Sequence, residues 1–185
     1  MAIPDRATAR RLLDDAGLPD GILTHSEGVA RVAVAAAGLV AEAQIPVDGA
    51  LVEAAALLHD IDKVETRRTG GEHGIVGARR LEAMGYEELA MPVASHPVTS
   101  LLDDDRFPIG WPSVIVAVAD RHVAQEFLTV DERLDDMKQR HPQFAASIEA
   151  ARRPAHALEM QVAEAVGLSV DELVDRFRAA WAAGA

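Results

Sequence analysis

The segment Leu57-Leu58-His59-Asp60-Ile61-Asp62-Lys63 closes a stretch, Leu51 to Leu58, in which Glu53 is the one charged residue. A histidine and an aspartate thus stand side by side where a buried helix should end. A second apolar run, Val114 to Ala119, also ends in an aspartate, Asp120. His25 lies one helical turn before Val29 and two before Val32, on the apolar line of another helix. Taken singly, each has a plain structural use: a core histidine can hydrogen-bond, and an aspartate can cap a helix or pair with arginine. Together they raise a sharper possibility. A buried carboxylate without a partner is costly, so it is neutralised, paired or given a metal. One divalent cation would satisfy His25, His59, Asp60 and Asp120 at once.

Composition narrows the chemistry. The chain has no cysteine, which excludes disulfides, iron–sulfur clusters, thiolate zinc sites and a cysteine nucleophile. Any metal must rest on His, Asp and Glu, donors that accept Fe, Mn, Zn or Mg alike, with geometry and supply deciding between them. The formal net charge of −12 argues against a duplex nucleic acid partner, because phosphate affinity rests on Lys and Arg. A small anionic substrate would need a cation or a local basic cluster to offset that field. No apolar run approaches the roughly 18 residues that span a bilayer. The charged stretch from Met1 to Gly17 lacks the apolar core of a signal peptide. The expectation is a cytoplasmic location with no membrane partner.

The elements that must position these residues read as helices. The 185 residues suit a single domain with a sizeable core. Aromatics are only 4%, so Ala, Val and Leu must fill it. Apolar residues recur at helical spacing and no run alternates convincingly over strand length, so the fold class is all-α, one compact bundle of about eight or nine helices. A first helix is expected from Asp5 to Ala16. A second opens at a Thr24–Glu27 capping box, and a third runs from Pro46 and Asp48 to His59. "RRTGGEHG" reads as a loop before a helix from His73 to Met84, and a short one covers Tyr86 to Ala94. Ser113 to Val123 forms an apolar helix, and Phe144 to Val166 a long one. Thr129–Glu132 and Ser169–Glu172 are two further capping-box patterns.

Along the chain the candidate ligands come in the order His25, His59-Asp60, His73, His96, Asp120. That order, within "THSEGVARVA", "ALLHDIDK", "HGIVGARRL" and "VADRHV", resembles the HD-domain superfamily of metal-dependent phosphohydrolases. The resemblance covers roughly Leu23 to Val123 and leaves the residues from Ala124 onward as a C-terminal helical extension. It implies a first metal site of His25, His59, Asp60 and Asp120. A second would be completed by His73 and His96, with Asp60 bridging two divalent ions. Asp60 and Lys63 would be the catalytic residues. Members of the His-Asp-x-x-Lys type, including the symmetrical diadenosine-tetraphosphatase branch, are similar in carrying Lys at position 63, where it would steady a substrate phosphate as a point charge. The plain alternative is a solvated Lys beside Asp62 and Glu65. Asp62 departs from other branches, which carry Gly there.

Around this set, Arg67, Arg68 and Arg79 could form a basic rim. Asp103-Asp104-Asp105 reads as an exposed acidic turn. His122 should face away from Asp120, at the surface or behind the metal ligands, while His141 and His156 read as solvated.

Phosphate-ester hydrolysis needs a nucleophile at neutral pH and compensation for phosphoryl charge, and two ions about 3.5–4 Å apart supply both. The chain has no Walker pattern. The expected function is a metal-dependent phosphohydrolase acting on a nucleotide or another small phosphate ester. A diiron oxygenase of the same fold, and a non-catalytic module stabilised by metal, stay open beside it. The expected partners are the small phosphorylated substrate and a second copy of the chain, docked through an Ala-rich or C-terminal helix face.

Overall fold

The computed structural model describes residues 3–183, and among these every regular element is helical. In chain order they are α1 (Arg6–Asp15), α2 (Asp20–Glu42), α3 (Gly49–Leu58), α4 (Lys63–Thr69), α5 (Ile75–Ala83), α6 (Ala90–Ser95) and α7 (Trp111–Asp120). Then come α8 (Val130–Arg140), α9 (Ala145–Ala150), α10 (Arg152–Ala165) and α11 (Val170–Ala182). Three short 3-10 turns, Glu87–Leu89, Val98–Leu102 and Pro142–Phe144, connect them. The single strand-like feature is an isolated bridge between Val123 and Phe127. No helix among the described residues is long and apolar enough to cross a membrane.

The longest helix, α2, is the axis of the bundle, packed against α3, α7 and α11. Its buried face runs through His25, Val29, Val32, Ala33, Ala36 and Val40. The facing stretch of α3, Ala54 to Leu58, is buried on every side, as is Val114 to Ala119 of α7. Small side chains at Ala33, Ala36, Ala54 and Ala55 let these helices approach closely. That closeness is how a core poor in aromatics reaches interior packing density.

The all-α class is as the periodicity implies, and both later capping boxes form, with Thr129 and Ser169 accepting from Glu132 and Glu172 backbone N–H groups. Elsewhere local signals were outweighed. Thr24 does not open α2. The helix begins a turn earlier at Asp20, whose charge suits the N-terminal dipole, and Ile22 and Leu23 bond back to the Pro19 carbonyl. The first three residues of the expected Arg67–Gly74 loop instead close a helix, α4, that runs to Thr69, with Gly70 in the left-handed region as its C-cap. The expected helix from Phe144 to Val166 breaks at Ala151, because Pro154 cannot donate to Ala150 and sits instead in the first turn of α10, where no donor is needed. These short and divided segments raise the helix count above the sequence expectation without changing the class.

Gly74 is where the backbone leaves no choice. Its φ is +84°, and an added Cβ would lie 2.9 Å from a Pro97 carbon and 3.0 Å from the Val93 carbonyl oxygen. Gly38, exposed on α2, has nothing within 4 Å. Gly74→Ala should therefore destabilise the protein by about 1–3 kcal/mol through a strained left-handed residue. Gly38→Ala should stabilise it by about 0.5–1 kcal/mol through backbone entropy. Urea unfolding of both variants checks this, and equal midpoints would refute it.

Candidate metal centre

Six side chains from five elements meet at one end of the α2–α3–α7 core. His25 comes from the second turn of α2. His59 is the C-cap of α3, and Asp60 follows in the turn that leads to α4. His73 precedes α5, His96 is the C-cap of α6, and Asp120 is the last residue of α7. Helix ends serve here because their backbones are free to turn adjacent side chains toward one point. His59, Asp60, His96 and Asp120 are all buried.

The donor atoms face each other. His25 Nε2 lies 3.1 Å from Asp120 Oδ1 and 3.1 Å from His59 Nε2. Asp60 Oδ1 lies 3.2 Å from His73 Nε2, 3.5 Å from His96 Nε2 and 3.5 Å from His59 Nε2. The His73 and His96 Nε2 atoms are 3.0 Å apart. An ion that holds its donors at about 2.1 Å brings neighbouring donors to about 3 Å from one another, so the cluster has the dimensions of a coordination shell.

The outer nitrogens explain why a cation is wanted. His59 Nδ1 donates to the Ala56 carbonyl at 2.7 Å, and His96 Nδ1 donates to the Val93 carbonyl at 2.6 Å. His73 Nδ1 donates to Asp62 Oδ1 at 2.7 Å. A carbonyl or carboxylate acceptor requires the proton on Nδ1, so the neutral rings present bare Nε2 lone pairs to one another. Lone pairs 3.0 Å apart repel unless a proton or a metal ion lies between them. The site fits a divalent metal on this observation.

Electrostatics agree. Burial holds His59 neutral, with a pKa lowered to about 3. Burial also pushes His96 down. For Asp60, burial opposes the charged form, but Lys63 and His59 outweigh it and hold the carboxyl well below the usual range. Asp120 is likewise held low against burial by Arg121 and His25. His73 differs, because its bonds to Asp60 and Asp62 overcome burial and raise its pKa.

Two supporting residues escaped the sequence reading. Asp62, expected as a departure from the pattern beside a solvated lysine, is fully buried. Its Oδ1 orients His73, and its Oδ2 accepts from the Gly74 and Gly77 N–H groups at 2.7 and 2.9 Å. It thus ties the His73 turn to the end of α3. Arg121, also buried, binds the Asp120 carboxylate and the His96 carbonyl, fixing α7 to α6. Asp62 lies eleven residues before "HGIVG", a separation at which no local pattern pairs the two. For Arg121 the sequence offers only an arginine after a buried aspartate. His122 is another correction. It does turn from the cluster, but into the core, stacked on Phe127, with Nδ1 2.9 Å from the Leu128 carbonyl. Its Nε2 is 3.0 Å from buried Glu159, off the line of a hydrogen bond. His156 is half-exposed beside Asp131 and Glu159, and His141 is exposed. The Asp103–Asp105 turn is largely exposed, with Asp103 paired to Arg106.

A cleft of about 270 Å³ opens on the cluster, with His25 and Asp60 in its wall. Lys63, Arg67, Arg133 and Arg140 line it, and Asp60 is the one carboxylate among its lining residues. Lys63 Nζ is 3.4 Å from Asp60 Oδ1, and Arg133 lies 3.7 Å from Asp120 Oδ1. Of the arginines expected at the rim, Arg67 lines the cleft, while Arg68 and Arg79 do not. Arg133 and Arg140 come from α8 and were not anticipated. A wider, open depression beside Pro46 and Trp111 holds one titratable side chain, Asp48, which already caps α3.

Removing Asp62 should loosen the His73–His96 half of the centre. Asp62→Ala orphans the Gly74 and Gly77 donors, a loss of about 3 kcal/mol of stability. It should also weaken metal binding about 10- to 100-fold, as loss of an orienting carboxylate does. Chelator competition and urea unfolding measure the two effects, and unchanged metal affinity would contradict the role given to Asp62. The raised pKa of His73 sets a pH dependence. Without metal, its protonated form stabilises the fold fully below the ordinary value of 6.5, and that contribution is lost as pH rises through the raised folded value. A metal must displace this proton, so affinity should rise with pH across the same window. A pH-independent affinity between pH 6 and 8 would refute the assignment.

The HD domain family matches residues 22–125 of the chain, a segment that contains all six donors. The chain is also 31% identical over 94 residues to the uncharacterized protein MJ0778 of Methanocaldococcus jannaschii, a match covering 50% of this chain and 54% of that relative. The aligned part therefore spans about half the length of the curated relative. No solved structure matches. Donor order, donor geometry and the extent of the family match agree: the chain belongs to the HD domain family, which consists mostly of metal-dependent phosphohydrolases.

Proposed function

We propose that the protein is a metal-dependent phosphohydrolase acting on a small phosphate ester. One observation carries this reading: in a molecule of net charge −12, the cleft over the His/Asp cluster is lined by four fixed cations, Lys63, Arg67, Arg133 and Arg140. Cations held against the overall field are an arrangement for capturing an anion.

In this reading His25, His59, Asp60 and Asp120 would hold one ion, and His73 and His96 would join Asp60 in holding a second. Bound divalent ions supply Lewis acidity and an activated water at neutral pH. The chain's own groups do the rest. Asp60 and Asp120 stay ionised and act only as acceptors. His59 stays neutral because it is buried, with its proton committed to the Ala56 carbonyl. Lys63, about one-third exposed and adjacent to Asp60, donates to a phosphoryl oxygen and offsets charge that builds in the transition state. Arg133, 3.7 Å from Asp120, orients the same group.

Protein purified without a chelating column should carry about two metal equivalents per chain, lost in a His59→Ala, Asp60→Ala double variant. It should release phosphate from small esters without consuming O2. Lys63→Ala should lower kcat/KM about 100-fold while leaving metal content intact. Plasma mass spectrometry and a phosphate assay decide. Metal-loaded protein inert toward every ester, or one that takes up O2 with substrate, would overturn the proposal.

A further inference from the structure

The cleft cations fall into two tiers. Lys63 on α4 and Arg133 on α8 sit against the donors, 3.4 Å from Asp60 and 3.7 Å from Asp120. Arg67 follows Lys63 by four residues, about 6 Å along α4, and Arg140 follows Arg133 by seven, about 10 Å along α8. Both spacings return to the same helix face, so each helix carries one cation at the floor and one further out. Asp136 holds the α8 pair in register, with Arg133 at 3.2 Å and Arg140 at 2.8 Å. Arg67 has no acidic partner within ion-pair distance among the described residues. His141, beside Arg140, is pushed below its ordinary pKa by burial and then by Lys63, Arg140, Arg67 and Arg133. The cleft lining includes no Phe, Tyr or Trp.

One phosphate at the donors needs only the inner tier. Resting on the phosphohydrolase reading above, we propose that the substrate carries two phosphoryl groups, the reacting one at the donors and a second held by Arg67 and Arg140. The substrate class is a bisphosphate or a phosphoanhydride rather than a simple monoester. Arg67 lies within the residues that match the family and Arg140 beyond them on α8, so half of this subsite comes from the C-terminal helices of this chain.

Non-hydrolysable phosphonates test it by calorimetry on the metal-loaded protein. An alkane diphosphonate with a three- or four-carbon spacer should bind at least about tenfold tighter than methylphosphonate, the gain of one added charge-assisted contact. In an Arg67→Gln, Arg140→Gln variant, whose substituted positions are exposed, the two ligands should bind within about twofold of each other. Equal affinities in the unaltered protein, or an advantage that survives the substitutions, would overturn the two-tier assignment. In parallel, sugar bisphosphates and dinucleoside polyphosphates distinguish the two sources of paired phosphates by which is cleaved faster. Hydrolysis of monoesters with no preference for either removes the second subsite and leaves the phosphohydrolase. Arginine-dependent diphosphonate binding with no hydrolysis of any phosphate ester or anhydride removes the phosphohydrolase and leaves the subsite.

Discussion

Two carboxylates, Asp60 and Asp120, are kept charged inside an apolar helical bundle, and most of the local structure follows from that constraint. Burial alone would neutralise them. Lys63 and Arg121 oppose it from one side, and the imidazoles of His25, His59, His73 and His96 crowd in from the other. Because the outer nitrogens of His59 and His96 are committed to acceptors and burial keeps both rings neutral, their inner nitrogens have lone pairs and nothing to donate, and His73 joins them when its proton is displaced. A cluster of acceptors around two anions is stable only about a cation. The candidate metal site is thus shaped by hydrogen bonds made on its far side.

Those far-side bonds also explain why the helices end where they do. The Ala56 and Val93 carbonyls lie in the last turns of α3 and α6, where backbone acceptors lack intrahelical partners. Each is used to orient the histidine three residues on. Asp62 does similar work with opposite sign, accepting from the N–H groups that open α5. Helix-end groups that would otherwise need water become the second layer of the site. Gly74, held in the left-handed region against the end of α6, is the geometric condition for that contact.

The charge distribution separates the two parts of the chain. The segment matching the family supplies the donors and Lys63. The part beyond it supplies Arg133, Arg140 and, through Glu159, a buried partner for His122. His122 and the Val123–Phe127 bridge hold the loop that carries Ala124 and Gln125 along the cleft. The C-terminal helices therefore shape the opening above the donors as well as extending the core.

The fold class and the candidate donors were legible in the sequence. Helical periodicity is local, and the two capping boxes at Thr129 and Ser169 are complete within four residues, so both could be read without tertiary information. Apolar runs that end in Asp are equally visible, and the ordered histidines gave the donor set its family resemblance. Thr24 shows the limit: a capping box of the right residues stays unused when upstream residues gain more by joining the helix. Asp62 and Arg121 look like ordinary surface charges in one dimension, and their burial depends on α5 and α6 folding back over α3. The pairing of Lys63 with Arg133, and of Arg67 with Arg140, joins residues about seventy positions apart on two helices that share no sequence pattern. Only the tertiary structure decided which cations face the donors, because chain separation carries no information about which helix faces meet.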